Sequence, residues 1–269
     1  MLGKIGNDGD CDCNTDARLE LTGVSVGYGG EPILRDVSVQ VPHGARVAVV
    51  GPNGAGKSTL FKALVGLLPL RAGSVCIHGR QLGSHLDCIA YVPQREDVDW
   101  RFPVTVADVV MMGRYGRLGW VRRPNREDRE VVERSLSEMG LGDLAGRPIG
   151  ELSGGQQQRA FLARALAQQP HILLMDEPFS GVDVSTQEAT RGLLDRLRTQ
   201  GVTVLVSTHD LTLAATRFDQ VMLINRRLIA YGAVADVLTA TILSQTFGGQ
   251  VFYVDGAAVV DQCCPPETN

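Results

Sequence analysis

Hydrophobic positions follow different periods in different parts of the chain. From Leu19 onward apolar and polar residues alternate, with Leu19, Leu21, Val24 and Val26 on one phase and Val37, Val39 and Val41 following. A period of two marks strands with one buried face. Gly27-Tyr28-Gly29-Gly30 lies between the runs and predicts a turn, so this stretch predicts an antiparallel sheet. Val47 to Val50, Ile172 to Met175 and Val202 to Val206 are instead nearly continuous apolar runs. That is the pattern of strands buried on both faces. The last two each follow a helical stretch, and strands alternating with helices predict a parallel sheet with right-handed crossovers.

Between these runs, from about Val104 to Gln168, the pattern is helical. Asn125 is placed to cap a helix whose Val132, Leu136 and Met139 share one face and which Gly140 ends. The charged run Arg126–Arg129 reads as its solvated face. The fold class predicted is α/β, with a mainly parallel sheet, an N-terminal antiparallel β subdomain and a helical subdomain inserted at about residues 95–168. Residues 1–17, rich in Gly, Asp and Asn, predict a disordered tail. Residues 18–252 form one domain, and 253–269, ending CCPPETN, read as a second tail. No internal repeat is evident.

Composition narrows the function classes. At 269 residues the chain can hold one large α/β domain or two small ones. A net charge of −4 argues against a nucleic-acid binder, which carries a basic excess. A membrane-spanning helix needs about 20 apolar residues, whereas the longest apolar run, Ala63 to Leu70, stops at a fraction of that even with Gly66 and Pro69 included. The polar, acidic start predicts no signal peptide. The expectation is a cytoplasmic protein that reaches a membrane only through a partner. Cys11, Cys13, Cys263 and Cys264 lie in the tails, as a CxC and a CC pair, with Cys76 and Cys88 between. Neither tail spacing matches a structural zinc site, and a reducing compartment disfavours disulfides.

Gly51-Pro52-Asn53-Gly54-Ala55-Gly56-Lys57-Ser58-Thr59 directly follows the strand Val47–Val50 and opens a helix bearing Leu60, Leu64 and Val65. The pattern GxxxxGK[ST] in that context is a phosphate-binding P-loop. Its glycines let backbone N–H groups face the phosphates, and the helix N-terminus adds its dipole. Lys57 places a compact charge near the β- and γ-phosphates, while Ser58 offers its hydroxyl to Mg²⁺. Only three lysines, Lys4, Lys57 and Lys62, occur among 26 Lys and Arg residues. A chain that otherwise uses arginine keeps lysine where a rigid planar fork does not fit.

Ile172-Leu173-Leu174-Met175-Asp176-Glu177 is a second buried strand ending in two carboxylates. Beside a P-loop these divide the work of phosphoryl transfer: Asp176 holds Mg²⁺, and Glu177 orients and deprotonates the attacking water. Elsewhere such a pair is as readily a solvated loop.

Leu152-Ser153-Gly154-Gly155-Gln156 stands about 20 residues before the carboxylate strand, and it resembles the signature motif of the ABC ATPase family. Ser153 and Gln156 also satisfy a capping box at a helix start, and the two readings are compatible. The resemblance covers about residues 18–250 and implies an ATP-hydrolysing P-loop domain that works as a homodimer. Each nucleotide would lie between the P-loop of one chain and Ser153, Gly154, Gly155 and Gln156 of the other. It further implies that Tyr28 stacks on adenine, that Gln94 reaches Mg²⁺ and water, that Asp183 in Ser180-Gly181-Val182-Asp183 crosses the dimer, and that His209 contacts the γ-phosphate.

Within the family, the stretch after Gln94, REDVDWRFPVTVADVVMMGRYG, and FSGVD are similar to importers for manganese, zinc or iron. The implied partners are integral membrane permease subunits and, indirectly, an extracytoplasmic substrate-binding protein, with the chain peripheral on the cytoplasmic face. The segment from Gln94 to about Arg114, with Trp100, Phe102 and Pro103 in a polar setting, is the expected docking surface for the permease; packing of Trp100 and Phe102 into the insert's own core is the competing expectation. A motor for another cargo such as a metal chelate, or a soluble ABC ATPase acting on ribosomes or DNA, are the other functions considered. The second class carries two cassettes or long insertions that this sequence lacks. A regulator that never hydrolyses fits poorly with Glu177 and His209.

Overall fold

The structure, a computed structural model, describes residues 17–82, 88–118, 122–248, 251–254 and 257–260. β1 (Ala17–Val26) and β2 (Leu34–Pro42) pair antiparallel. Leu19, Leu21, Val24 and Val26 are all buried, although the first two are odd-numbered and the last two even. A register shift between Leu21 and Val24 resets the phase, so a bulge, rather than unbroken alternation, keeps all four inside. β3 (Arg46–Val50) and α1 (Lys57–Leu64) intervene before β4 (Leu70–Ile77) and β5 (Arg80–Gln81) complete this sheet in the order β2-β1-β4-β5.

β3 is the first strand of the second sheet; β6 (Ile89–Val92) forms one of its edges, and the chain then leaves it for the insert. The insert holds α2 (Val106–Met112), α3 (Tyr115–Leu118), α4 (Arg126–Glu138) and α5 (Gly154–Ala167). The return runs through β7 (Ile172–Asp176), α6 (Val184–Thr199), β8 (Thr203–Thr208), α7 (Leu211–Arg217), β9 (Gln220–Ile224) and β10 (Leu228–Ala233). The strand order is β10-β9-β3-β8-β7-β6, parallel except for β10 at the edge.

Every residue of β3, β7 and β8 is buried, for the reason the apolar runs implied. Val47, Val49, Ile172, Leu174 and Leu205 point into one core with Phe61 and the antiparallel sheet. Ala48, Val50, Leu173, Met175, Val204 and Val206 point into the other, with the insert and the crossover helices. Each fully buried Val, Leu or Ile contributes about 1.5–3 kcal/mol. The parallel sheet is therefore the rigid floor from which loops project at its carboxyl edge.

Asn125 caps α4 as expected, in a reciprocal box with Asp128. Val132, Leu136 and Met139 are buried, and Gly140 follows with φ 64°. The charged run Arg126–Arg129 departs from its expected role at one position. Asp128 is buried and pairs with buried Arg114 at 2.9 Å. Arg114 also donates to the Ala167 carbonyl and the Gln169 side chain, tying α4 to the end of α5. The hydrogen bond from the Asn125 N–H and the Arg114 guanidinium hold the Asp128 carboxyl below its ordinary range, against the opposing effect of burial.

After α8 (Val234–Val237) and α9 (Ala240–Phe247), β11 (Val251–Val254) and β12 (Ala257–Val260) pair antiparallel. The predicted second tail therefore overlaps this antiparallel strand pair. Residues 1–16 and the four tail cysteines lie outside the described residues, and Ala17 already belongs to β1. Cys76, at the end of β4, is buried, and Cys88 is half-buried.

Candidate active site

Three neighbouring strands deliver the predicted residues to one edge of the parallel sheet. β3 leads into the loop Gly51–Gly56 and then into α1, whose first residue is Lys57. A Cβ on Gly51 would run into the Ile224 carbonyl, so only glycine lets the loop pass β9 this closely. Gly56 takes φ 102°, and a Cβ there would sit 2.6 Å from Leu34 Cδ2. Pro52, Asn53, Gly54 and Ala55 form the crest, with the Ala55 N–H donating to the Pro52 carbonyl at 3.1 Å. Ser58 is half-buried and Thr59 buried in the first turn of α1, where no side chain caps the helix N–H groups. The Lys57 ammonium donates to the carbonyls of Gly51 at 2.7 Å and Pro52 at 3.2 Å. Burial lowers its pKa, and the carboxylates of Glu177 and Asp176 pull it back up.

β7 ends at Asp176, which is 1% exposed. Its Oδ1 accepts from the Ser207 hydroxyl at 2.5 Å and its Oδ2 from the Tyr91 hydroxyl at 3.4 Å. Glu177 follows with φ 47°, a left-handed backbone that a non-glycine residue adopts at a cost. Its N–H donates to Ser207 Oγ at 2.9 Å, and its carboxylate lies 3.7 Å from His209 Nδ1. His209 is presented just beyond β8, where the Asp210 N–H donates to Thr208 Oγ1 and the Asp210 carboxylate caps α7. Glu177, His209, Ser180 and Phe179 line a cavity of about 120 Å³ with Arg191. Gln94 follows β6 at the same edge of the sheet and is half-buried. Tyr28 lies in the loop between β1 and β2, 61% exposed.

The signature residues are held elsewhere, at the start of α5. Ser153 and Gln156 form the predicted reciprocal box: Ser153 Oγ accepts from the Gln156 N–H at 3.3 Å, and Gln156 Oε1 accepts from the Ser153 N–H at 2.9 Å. Gly154 lies against the Arg95 guanidinium, 2.7 Å from where its Cβ would stand, and Arg95 donates to buried Gln157. Gly155 packs against Asp183 and Thr186 so closely that any Cβ would collide with both. Asp183 serves here as the cap of α6, accepting from the Thr186 N–H at 2.9 Å. Hydrogen bonds from the Ser185 hydroxyl and the Thr186 N–H lower its pKa. Ser207, Arg95 and Gln157 were not predicted from the sequence. The signal available for Ser207 was the two hydroxyls, Ser207 and Thr208, that follow the apolar run Val204–Val206.

A P-loop on β3, paired carboxylates on β7 and a histidine beyond β8, with a helix-capping signature on an inserted subdomain, define an ATP-binding cassette. The ABC transporter family model matches residues 34–180. The manganese transport system ATP-binding protein MntB of Bacillus subtilis is 48% identical over 236 residues, covering 88% of this chain and 94% of that protein. The zinc transport system ATP-binding protein TroB of Treponema pallidum is 48% identical over 233 residues, 87% of this chain and 88% of that one. Among solved structures, an inward-facing metal-chelate type ABC transporter matches with a TM-score of 0.75 at 27% identity, covering 90% of this chain and 95% of that chain. The chain belongs to the ABC transporter family and is its ATP-hydrolysing, ATP-binding subunit. No helix among the described residues is long and apolar enough to cross a membrane.

Proposed function

We propose that this chain drives import of a divalent metal ion, of the manganese, zinc or iron class, through a separate membrane permease, working from the cytoplasmic face. The observation that carries the site reading is the convergence of Lys57, Asp176, Glu177 and His209 at one sheet edge. The cargo class rests on likeness to manganese and zinc transport subunits. A metal chelate is the second reading, favoured by the likeness to a metal-chelate type transporter.

In hydrolysis the water oxygen attacks the γ-phosphorus, the bond to the bridging oxygen breaks, and the water's proton passes to the Glu177 carboxylate. Lys57 and the bare N–H groups of the P-loop hold the phosphates. His209, within 3.7 Å of Glu177, orients that carboxylate and meets the γ-phosphate. Ser58, Gln94 and Asp176 offer hydroxyl, carboxamide and carboxylate oxygens, a hard donor set that suits Mg²⁺. The burial of Asp176 beside Lys57 fits a carboxylate that works opposite a cation. Bound there, Mg²⁺ would neutralise charge on the β- and γ-phosphates.

Exposed Tyr28 is free to stack on adenine. As the resemblance to ABC ATPases implies, Ser153, Gly154, Gly155 and Gln156 at the N-terminus of α5 would complete the nucleotide site of a second copy. A two-fold axis then makes two sites at once. Asp183, beside the signature, would lie at that interface. The further partners are the permease, reached through the segment after Gln94, and indirectly an extracytoplasmic binding protein. The acidic balance gives no support to a nucleic-acid partner.

Glu177→Gln tests the chemistry. ATP binding should persist, turnover should fall about 10²–10⁴-fold, and an ATP-bound dimer should accumulate. Near-normal hydrolysis would remove Glu177 from the role. In cells lacking the gene, uptake of manganese, zinc and iron should be measured with the wild type and with this variant. Restoration of uptake of one metal by the wild type alone supports the import reading, and uptake indifferent to the gene would overturn it.

A further inference from the structure

Ser207 is fully buried on β8, the strand between β3 and β7, and its single hydroxyl serves two residues at once. The O–H donates to Asp176 Oδ1 at 2.5 Å, and the same oxygen accepts the Glu177 N–H at 2.9 Å. The ladder fixes this arrangement. Ser207 is the registered partner of Asp176 on β7 and of Val49 on β3. A slip of one residue would turn the hydroxyl to the opposite face of the sheet.

The three residues immediately before it on β8, Val204, Leu205 and Val206, are apolar and buried. A hydroxyl in such surroundings needs partners. Ser207 finds them in two consecutive residues that the chemistry uses. The bond to Glu177 has a particular task, because the Glu177 backbone is left-handed at φ 47°. Such a conformation persists only where the surroundings determine it. By accepting the Glu177 N–H, Ser207 fixes the turn that brings the Glu177 carboxylate back beside His209 rather than onward along β7. The bond to Asp176 fixes which way that carboxylate faces, with the Tyr91 hydroxyl holding the other oxygen more loosely at 3.4 Å.

We propose that Ser207 is a positioning residue for ATP hydrolysis, setting the orientation of Asp176 and the backbone turn of Glu177 through one shared hydroxyl. The proposal rests on the assignment of Asp176 to the metal and Glu177 to the water. Ser207 touches neither nucleotide nor water in this scheme, so its loss should act on the chemical step rather than on substrate affinity.

The test uses full-length Ser207→Ala, Ser207→Thr and Glu177→Gln proteins beside the wild type. ATPase kinetics, titration with a fluorescent ATP analogue and thermal melting are measured on each. Ser207→Ala is expected to lower kcat about 10–100-fold, the size of one lost hydrogen bond to a charged group. KM for ATP and the analogue's affinity should stay within about twofold of wild type. Ser207→Thr keeps the hydroxyl on a side chain suited to a strand and should recover most of the loss. A Ser207→Ala protein with wild-type kcat would overturn the inference. So would parallel loss of stability, affinity and rate that threonine does not repair, since that pattern belongs to packing alone. The Glu177→Gln control separates the two levels. If it turns over normally, the underlying assignment fails whatever Ser207 does. If it is inactive while Ser207→Ala is normal, only the role of Ser207 is lost.

Discussion

Trp100 meets Phe161 edge to face, with ring centroids 5.0 Å apart, and its indole N–H donates to the Arg95 carbonyl at 3.0 Å. Phe161 in turn lies under the Arg164 guanidinium, 4.4 Å from the ring centre, and Arg164 donates to the Tyr91 carbonyl at 2.9 Å. Trp100 therefore joins the segment after Gln94 to α5 and β6. It is not a free docking anchor. Phe102, two residues on, is 62% exposed.

These two aromatics should separate on mutation. Trp100→Ala should cost about 2–3 kcal/mol, less than a fully buried tryptophan, and lower the melting temperature. Phe102→Ala should leave the melting temperature nearly unchanged and weaken co-purification with the permease. Permease binding that is indifferent to Phe102 would move the docking surface away from this loop.

Arg114 and Asp128 form a buried pair that invites a pH experiment. The folded protein holds the Asp128 carboxyl below its ordinary value, so the unfolded chain takes up this proton first as pH falls. The stabilisation is complete above about pH 3.9 and is lost as pH drops through the lower folded value. Asp128→Asn leaves Arg114 buried without its counter-charge, at a cost of about 3 kcal/mol near neutrality. Urea melts of both proteins at pH 7 and in acid should show that gap closing as pH falls. A gap independent of pH would mean that the pair contributes through packing alone.

Gly154 and Gly155 are adjacent but face different obstacles. A Cβ on Gly154 meets the far end of the long Arg95 side chain, whereas one on Gly155 meets Asp183 and Thr186, which form the cap of α6. Gly155→Ala should therefore destabilise by about 1–3 kcal/mol through overpacking and a displaced cap. Gly154→Ala should be close to neutral in stability. Equal melting temperatures for the two variants would argue against a rigid contact between α5 and α6.

Lys57→Ala should weaken binding of a fluorescent ATP analogue, because its ammonium is the buried cation of the loop. Glu177→Gln should leave that affinity intact. Mixing Lys57→Ala with Ser153→Arg, each inactive alone, should restore partial turnover, since the heterodimer then has one composite site free of both defects. No recovery despite demonstrated heterodimers would count against a signature acting across the dimer.

Much of this protein was determined by local sequence. The P-loop could be recognised because its chemistry is local: glycines for the turn, a lysine and a helix start occupy nine consecutive residues behind an apolar strand. The reciprocal caps at Asn125 and Ser153 are equally local, since a cap and its partner stand three residues apart. Runs buried on both faces identified β3, β7 and β8 with small errors at their ends. What only the tertiary structure decided depends on which distant residues share a space. Asp128 looked like a surface charge until Arg114, from the turn between α2 and α3, was brought against it. Trp100 carried no sequence signal to distinguish an interface from a core until α5 placed Phe161 beneath it. Ser207 lies 30 and 31 residues from its two partners, and only the register of β8 against β7 lets one hydroxyl reach both. Periodicity reports which face of an element is apolar; the element packed against that face is set by the fold as a whole.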